Sequence, residues 1–351
     1  MRGASEDLVA DAVESGDPLP GTRGFAGELP DGRLVRDVLG RELLYTDSDT
    51  WSHDPADLAD PTPFPPGHVG TTDDHERVWA LPDADPEPAG ALDRVRDALD
   101  TALDVETADL AVAFSGGVDS ALVAAETAAP LHVVGFPGSN DVEAARESAD
   151  LMGRDLTVHE LELSDVENAV PSVARAIGRT NAMDVAIALP LYLVAERVDA
   201  RRLALGQGAD ELFGGYAKVE KAPDDPRTDA DTVLGARDEV LRTLPAQLER
   251  DIRVVRAAGV EPVTPLLYDD VVRAALSLPE NLLVFEGVRK RALRDVAADR
   301  LPETVAYRKK KAVQYGSLVS RELDRLARQA GFKRRMDDHV TKYVESRVDG
   351  A

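Results

Sequence analysis

Ala113-Phe114-Ser115-Gly116-Gly117-Val118-Asp119-Ser120 stands between an apolar run, 110–114, and a stretch, 119–127, whose apolar residues recur at helical spacing. A strand that turns through two glycines into a helix is the unit from which parallel α/β sheets are wound. The glycines let the backbone turn tightly and approach a ligand without a Cβ in the way. The helix N-terminus behind them favours negative charge, and the hydroxyls of Ser115 and Ser120 stand beside it. No lysine follows the glycines, so the stretch is not a Walker A loop. It is either an ordinary strand-to-helix turn or a phosphate loop, and the Ser and Asp around the glycines favour the second.

Outward from this stretch the pattern repeats. Apolar runs at 131–136, 156–163 and 203–205 read as strands, and 141–152, 165–177 and 183–198 as helices. The alternation predicts an α/β fold, a parallel sheet with helices on both faces. Beyond Asp231 the expected elements are helical, at 232–257, 268–278, 287–300, 317–330 and 336–347. Residues 1–80 are rich in Pro, Gly and Asp, with short extended runs at 33–35 and 42–45, and read as small β-hairpins with loops. The expected domains are a β-rich region at 1–82, a linker at 83–90, a main domain at 91–335 and a C-terminal helix or tail at 336–351.

The 351 residues contain no cysteine, which excludes disulfides, thiolate zinc sites and cysteine nucleophiles within them. No long apolar run or basic-then-apolar leader occurs, so neither a membrane span nor a secretory signal is expected. The formal charge of −24 disfavours a nucleic-acid or anionic-membrane partner. Eight of the 41 basic residues are lysines, none before Lys218. Abundant Asp with scarce Lys resembles the composition of proteins from extreme halophiles. Four of the lysines fall between Lys290 and Lys311, beside Arg289, Arg291, Arg294, Arg300 and Arg308. This is either a solvated basic face or a pocket for phosphates. The six histidines show no metal-ligand spacing, Trp51 and Trp79 read as core or interface, and Lys333-Arg334-Arg335 as a surface face.

The first loop resembles the Ser-Gly-Gly-x-Asp-Ser loop of ATP pyrophosphatases, which hold pyrophosphate and release AMP. That group includes sulfur-transfer, NAD-forming and GMP-forming enzymes, so the loop leaves the substrate open. A second segment narrows it. Leu205-Gly206-Gln207-Gly208-Ala209-Asp210-Glu211-Leu212-Phe213-Gly214-Gly215-Tyr216 resembles the Gly-Glu-Gly-x-Asp-Glu-x-Phe-Gly-Gly-Tyr segment of asparagine synthetases. Their relatives, the β-lactam synthetases, keep a looser version. Thr180-Asn181-Ala182-Met183-Asp184 with Ala188–Tyr192, Lys290-Arg291-Ala292-Leu293-Arg294, Leu301-Pro302 and Arg308-Lys309-Lys310 agree as well, so the resemblance covers roughly 90–320.

The resemblance implies an adenine nucleotide alpha hydrolase-like fold and a cytoplasmic, AMP-forming amide ligase using ATP and Mg²⁺. Ser115, Gly116, Gly117, Asp119, Ser120, Gly135, Gly206, Gly208 and Lys290 would bind the nucleotide, the stretch 135–140 lying where base and ribose would sit. Asp119 and Asp210 would hold the metal. Lys310 would be the catalytic cation, with Lys311 as the other choice, beside Gln207 and Asp210. The substrates would be a carboxylate, aspartate first, and ammonia or an amine. A separate glutaminase subunit and a homodimer remain open as partners.

Three departures qualify this. Gln207 occupies the place of a glutamate thought to accept a proton, and an amide cannot act as a base at neutral pH. Glu261–Asp269 lacks the arginine of a Glu-x-Arg-x-Pro-Phe-Leu-Asp segment. The chain opens Met1-Arg2-Gly3 where asparagine synthetases have Met-Cys-Gly. Yet 35–45 resembles the Arg-Asp-Pro-Leu-Gly-x-x-Pro-Leu-Tyr of the class II amidotransferase domain, and 64–68 its Leu-Pro-Pro-Gly-His. The expectation is a shortened remnant without glutaminase activity, since the thiolate is absent. An amide ligase for another carboxylate, a modifying ATP pyrophosphatase and a nucleotide-binding regulatory subunit are the alternatives.

Overall fold

The computed structural model describes residues 1–224, 230–309 and 313–349. Two compact units divide the chain: 103–206, 250–263 and 294–351 form one, and 1–102, 207–249 and 264–293 the other.

The first unit is built on a five-stranded sheet of β1 (Leu110–Ala113), β2 (Leu131–Gly135), β3 (Leu156–Glu160), β4 (Arg202–Ala204) and β5 (Glu261–Val263). Its order is β3-β2-β1-β4-β5 and every pairing is parallel. The inner strands are mostly apolar because both faces are covered, with His132 and Arg202 the only partly exposed polar side chains in them. The outer β3 (Leu-Thr-Val-His-Glu) has no fully buried residue. Between the strands run α1 (Val118–Glu126), α2 (Asn140–Met152), α3 (Leu163–Ile177) and α4 (Ala182–Ala195). In α3, Val166, Ala169, Val170, Val173, Ala174 and Ile177 fall on one face and are buried. The core joins them to α4, whose Val185, Ala186, Ala188, Leu189 and Leu193 are also buried. Helices Val319–Gln329 and His339–Asp349 extend this core, which confirms the α/β class and the helical C-terminal part.

The second unit carries small antiparallel sheets, as expected for a β-rich N-terminal region. One has four strands, Ala26–Glu28, Leu34–Arg36, His68–Gly70 and His75–Arg77; the other pairs Tyr45–Asp47 with Thr50–Ser52 and Thr62–Pro63. Ala26, Leu34, Leu44 and Phe64 form a small core with Trp51 against it. Trp79 is buried edge-on to Phe25, ring centroids 5.7 Å apart.

Several elements differ from the expectations. Glu6–Ser15 is a helix where hairpins were expected; Ser5 caps its N-terminus, Glu6 and Asp7 occupy the first turn and Gly16 closes it in the left-handed region. The run 156–163 stops at Glu160, because a capping box between Glu162 and Asp165 starts α3 at Leu163. The helix expected over 287–300 is confined to Arg291–Ala297. Val284–Phe285 and Val288–Arg289 pair as a hairpin instead, through Glu286 (φ 49°) and Gly287 (φ 76°). Strand β5 was not anticipated, as three residues containing Pro262 carry too little pattern; its place at the sheet edge tolerates the proline. The stretch 83–90 is tied down, Asp85 N–H donating to Leu276 O (3.2 Å) and Glu87 N–H to Ser277 O (2.8 Å). Among the described residues no helix is long and apolar enough to cross a membrane.

Candidate active site

The strand order reverses between β1 and β4, since the chain runs β1-β2-β3 to one edge and returns to build β4 and β5 on the other side. In open parallel sheets, ligands bind at the carboxyl ends of the strands flanking such a reversal. Ser115–Ser120 leaves β1 there, and Gly206 follows β4.

The loop is braced from inside. Ser120 is buried; its Oγ accepts the Ser115 N–H at 3.2 Å, stands 3.2 Å from Ser115 Oγ and donates to Gly117 O at 3.2 Å. Ser148 Oγ in α2 donates to Gly116 O at 2.9 Å. Gly116 has φ 72°, and a Cβ there would lie 2.7 Å from Ala145 N and strike the Ala144 carbonyl, so α2 requires the glycine. Gly117 is the N-cap of α1 and caps with no side chain, a helix start of the kind that favours negative charge. Ser120 thus braces the loop. Gly135, at the end of β2, is required by packing as well: a Cβ would stand 2.5 Å from Ser139 Oγ, the cap of α2.

Asp119, in the first turn of α1, is half-buried, and its Oδ1 is shielded from solvent. Gly206 presses against it. A Cβ at Gly206 would stand 2.8 Å from Asp119 Cβ and 2.8 Å from Ser120 N. The first residue of the second motif is therefore a glycine because it touches the first loop.

The rest of the second motif lies in the other unit. Gln207 is half-buried with its side-chain oxygen shielded. Gly208 has φ 92° and caps the helical turn Ala209–Leu212, and Leu267 packs against it. Asp210 Oδ1 pairs with Lys290 Nζ at 2.7 Å; Lys290 is buried while Asp210 is about half exposed. Any Cβ on Gly215 would overlap the Asp210 carboxylate and the Lys290 side chain. Arg289 donates to the Gly215 carbonyl and pairs with Glu220 at 3.3 Å. Glu211 is buried beside Asp210, and desolvation, then the Asp210 charge, push its carboxyl above the usual range. Tyr216 Oη donates to Glu211 Oε1 at 2.6 Å, which opposes that rise. Ser148, Glu211 and Tyr216 were not expected at the site. Glu211 and Tyr216 stood inside the quoted motif, but their pairing needed the turn; nothing local marks Ser148.

Several arginines of the basic stretch have acidic or carbonyl partners. Arg308 pairs with Glu147 at 2.8 Å and Arg300 with Glu126 at 3.5 Å, while Arg294 donates to Ala306 O at 2.7 Å. Lys310 and Lys311 lie outside the described residues.

A doubly wound sheet with an uncapped, glycine-turned helix N-terminus at its reversal defines a nucleotide-binding α/β domain. The sequence profile described as asparagine synthase matches residues 91–239 and 237–346, and the chain belongs to that family of ATP-dependent amide ligases. A Methanocaldococcus jannaschii protein, named among the glutamine-hydrolyzing asparagine synthetases, is 32% identical over 266 residues, 64% of this chain and 49% of its own. Asparagine synthetase (glutamine-hydrolyzing) 1 of Arabidopsis thaliana is 27% identical over 334 residues, 81% of this chain and 55% of its own. The Triphysaria versicolor asparagine synthetase is 27% identical over 320 residues, 79% and 51% respectively. The chain thus spans about half the length of the curated relatives it matches.

Proposed function

We propose that this chain activates a carboxylate, aspartate first among candidates, as an acyl-adenylate and amidates it with ammonia. The observation that carries this reading is the approach of Gly206 to Asp119 and Ser120, which joins the loop after β1 to the start of the second motif. In the proposed reaction a substrate carboxylate oxygen attacks the α-phosphorus and pyrophosphate leaves with the electron pair of the broken P–O bond. Ammonia then attacks the acyl carbon, loses a proton and expels AMP. The N–H groups of the first turn of α1 would bind phosphate, and Lys290 and Lys310 would offset its charge.

Asp119 and Asp210 are the carboxylates assigned to Mg²⁺, whose role would be to neutralise phosphate charge. Their hard oxygen donors suit that ion. Phosphate oxygens and water would supply its other ligands. Nitrogen would come as free ammonia or from a separate glutaminase, since no thiol is present to hydrolyse glutamine. The acidic surface is proposed to suit concentrated salt.

The test is ATP–pyrophosphate exchange in high salt against a panel of carboxylates. Exchange that depends on one acid, with AMP as product on adding ammonia, is expected; no exchange with any acid sinks the reading. Gln207 favours a second reading, a regulatory subunit that binds nucleotide without turnover. Unchanged nucleotide binding with no turnover in the native chain and in Gln207→Glu would select it.

A further inference from the structure

The N-terminal β region holds a buried charge cluster that reaches the turn bearing Gln207 and Asp210 in two steps. Asp37 accepts the N–H groups of Leu39 (3.1 Å) and Arg41 (2.9 Å) and pairs with Arg41 Nε at 2.8 Å. Arg41 Nη1 then donates to Asp269 Oδ1 at 2.6 Å and to Leu267 O at 2.7 Å. Asp269 Oδ2 accepts the Thr22 N–H at 2.6 Å and Thr22 Oγ1 at 3.1 Å, while its own N–H returns a bond to Thr22 O at 3.0 Å. The side chains of Asp37, Arg41 and Asp269 are at most 1% exposed. Leu267, whose carbonyl Arg41 holds, lies against Gly208: a Cβ there would stand 2.6 Å from Leu267 Cγ. Gly208 is the residue between Gln207 and the helical turn of Asp210.

A second buried arginine gives the contrast. Arg36 donates to the carbonyls of Glu42 (2.8 Å), Phe64 (2.8 Å) and Gly40 (3.0 Å), all within the N-terminal region. Carbonyl bonds of that kind suffice to hold the β region together. Arg41 instead sits between two carboxylates, an arrangement whose desolvation is costly and whose loss leaves buried anions. Its geometry fixes the 264–269 segment rather than merely covering it.

We propose that Arg41 is a positioning residue for the amide-forming reaction: the thiol-free N-terminal region is a brace that holds Leu267 against Gly208 and so sets where Gln207 and Asp210 stand. This rests on the proposed function. It gives the region a task independent of nitrogen supply.

The experiment compares Arg41→Met, Arg41→Lys, Arg36→Met and Thr22→Val in the full chain. Thermal unfolding, carboxylate-dependent pyrophosphate exchange, amide formation with ammonia, and amide hydrogen exchange over 207–212 are measured at a temperature where each variant is folded. Arg36→Met and Arg41→Met should both lower Tm. Only Arg41→Met should cut amide formation per folded molecule tenfold or more and speed hydrogen exchange over 207–212, with Arg41→Lys partly restoring both. If Arg41→Met does not fold, Thr22→Val, which removes one hydroxyl from Asp269, should show the same pattern at two- to fivefold. Equal hydrogen exchange and equal activity per folded molecule in the Arg41 or Thr22 and the Arg36 variants overturn the brace. A native chain without pyrophosphate exchange overturns the proposed function instead, and hydrogen exchange then still decides the brace.

Discussion

The loop after β1 and the turn that begins at Gln207 handle charge with opposite materials. Ser115–Ser120 uses neutral groups: glycine backbone, two hydroxyls bonded to each other and an uncapped helix N-terminus. The Gln207–Tyr216 turn uses an ion pair, Asp210 against the buried Lys290, with the Glu211 carboxyl hydrogen-bonded to Tyr216 beside it. A site for a large anion needs donors already aimed and no side chain to displace, and backbone N–H groups provide that. Ionised side chains can exchange partners, which would suit the cation, phosphate charge and nucleophile of the proposed reaction. The difference predicts that the loop fails by steric intrusion and the turn by loss of charge.

The largest expected effect is steric. Gly206→Ala places a methyl 2.8 Å from Asp119 Cβ and Ser120 N, so one contact must shift. Pyrophosphate exchange should fall at least about 100-fold, roughly 2.7 kcal/mol of barrier. Exchange within tenfold of the native rate would break the claimed dependence of the loop on that close approach. Next comes charge in the turn. Lys290→Met strips Asp210 of its 2.7 Å partner and should weaken ATP binding about tenfold, roughly 1.4 kcal/mol, as read by calorimetry. Unaltered affinity would show that Lys290 serves Asp210 alone and not the nucleotide.

A smaller effect belongs to the brace of the neutral loop. Ser120→Ala removes three contacts around one buried hydroxyl and should cost about 1 kcal/mol in denaturant unfolding. The smallest lies outside both regions, at His132 and His159, whose rings stack on β2 and β3 with Nδ1 and Nε2 3.0 Å apart. Burial lowers both pKa values from 6.5, helped by His159 acting on His132 and by Arg197 acting on His159. The folded state therefore binds fewer protons than the unfolded chain in that range. Their contribution is complete above about pH 6.5 and is lost as pH falls through the folded values. His132→Gln should flatten the fall in Tm between pH 7 and pH 5, and an unchanged slope would remove the pair from the acid response.

Much of the fold was legible because burial on both faces leaves long apolar runs. Strands β1, β2 and β4 and helices α1 to α4 lie within a few residues of the runs that suggested them. The elements that were missed are short or rest on caps: Glu6–Ser15 between Ser5 and Gly16, the hairpin through Glu286-Gly287, and β5 with its proline. The two motifs were readable as strings, but not the contacts that their residues make. Ser115 and Ser120 looked equivalent in sequence, yet it is the Ser120 hydroxyl that is buried and donates to Gly117 O.

By itself the sequence determined the class of unit, a glycine-turned strand and helix repeated into a parallel sheet. It also determined the chemistry that is barred, since a chain without cysteine cannot make a thiolate. Both follow from residue type and period, which are local. The tertiary structure alone decided that Gly206 touches Asp119, that Lys290 answers Asp210, and that Arg41 ties Asp37 to Asp269 across more than 200 residues. Such pairings depend on closing long loops, and residue type and spacing carry no record of which distant partner a buried charge will meet.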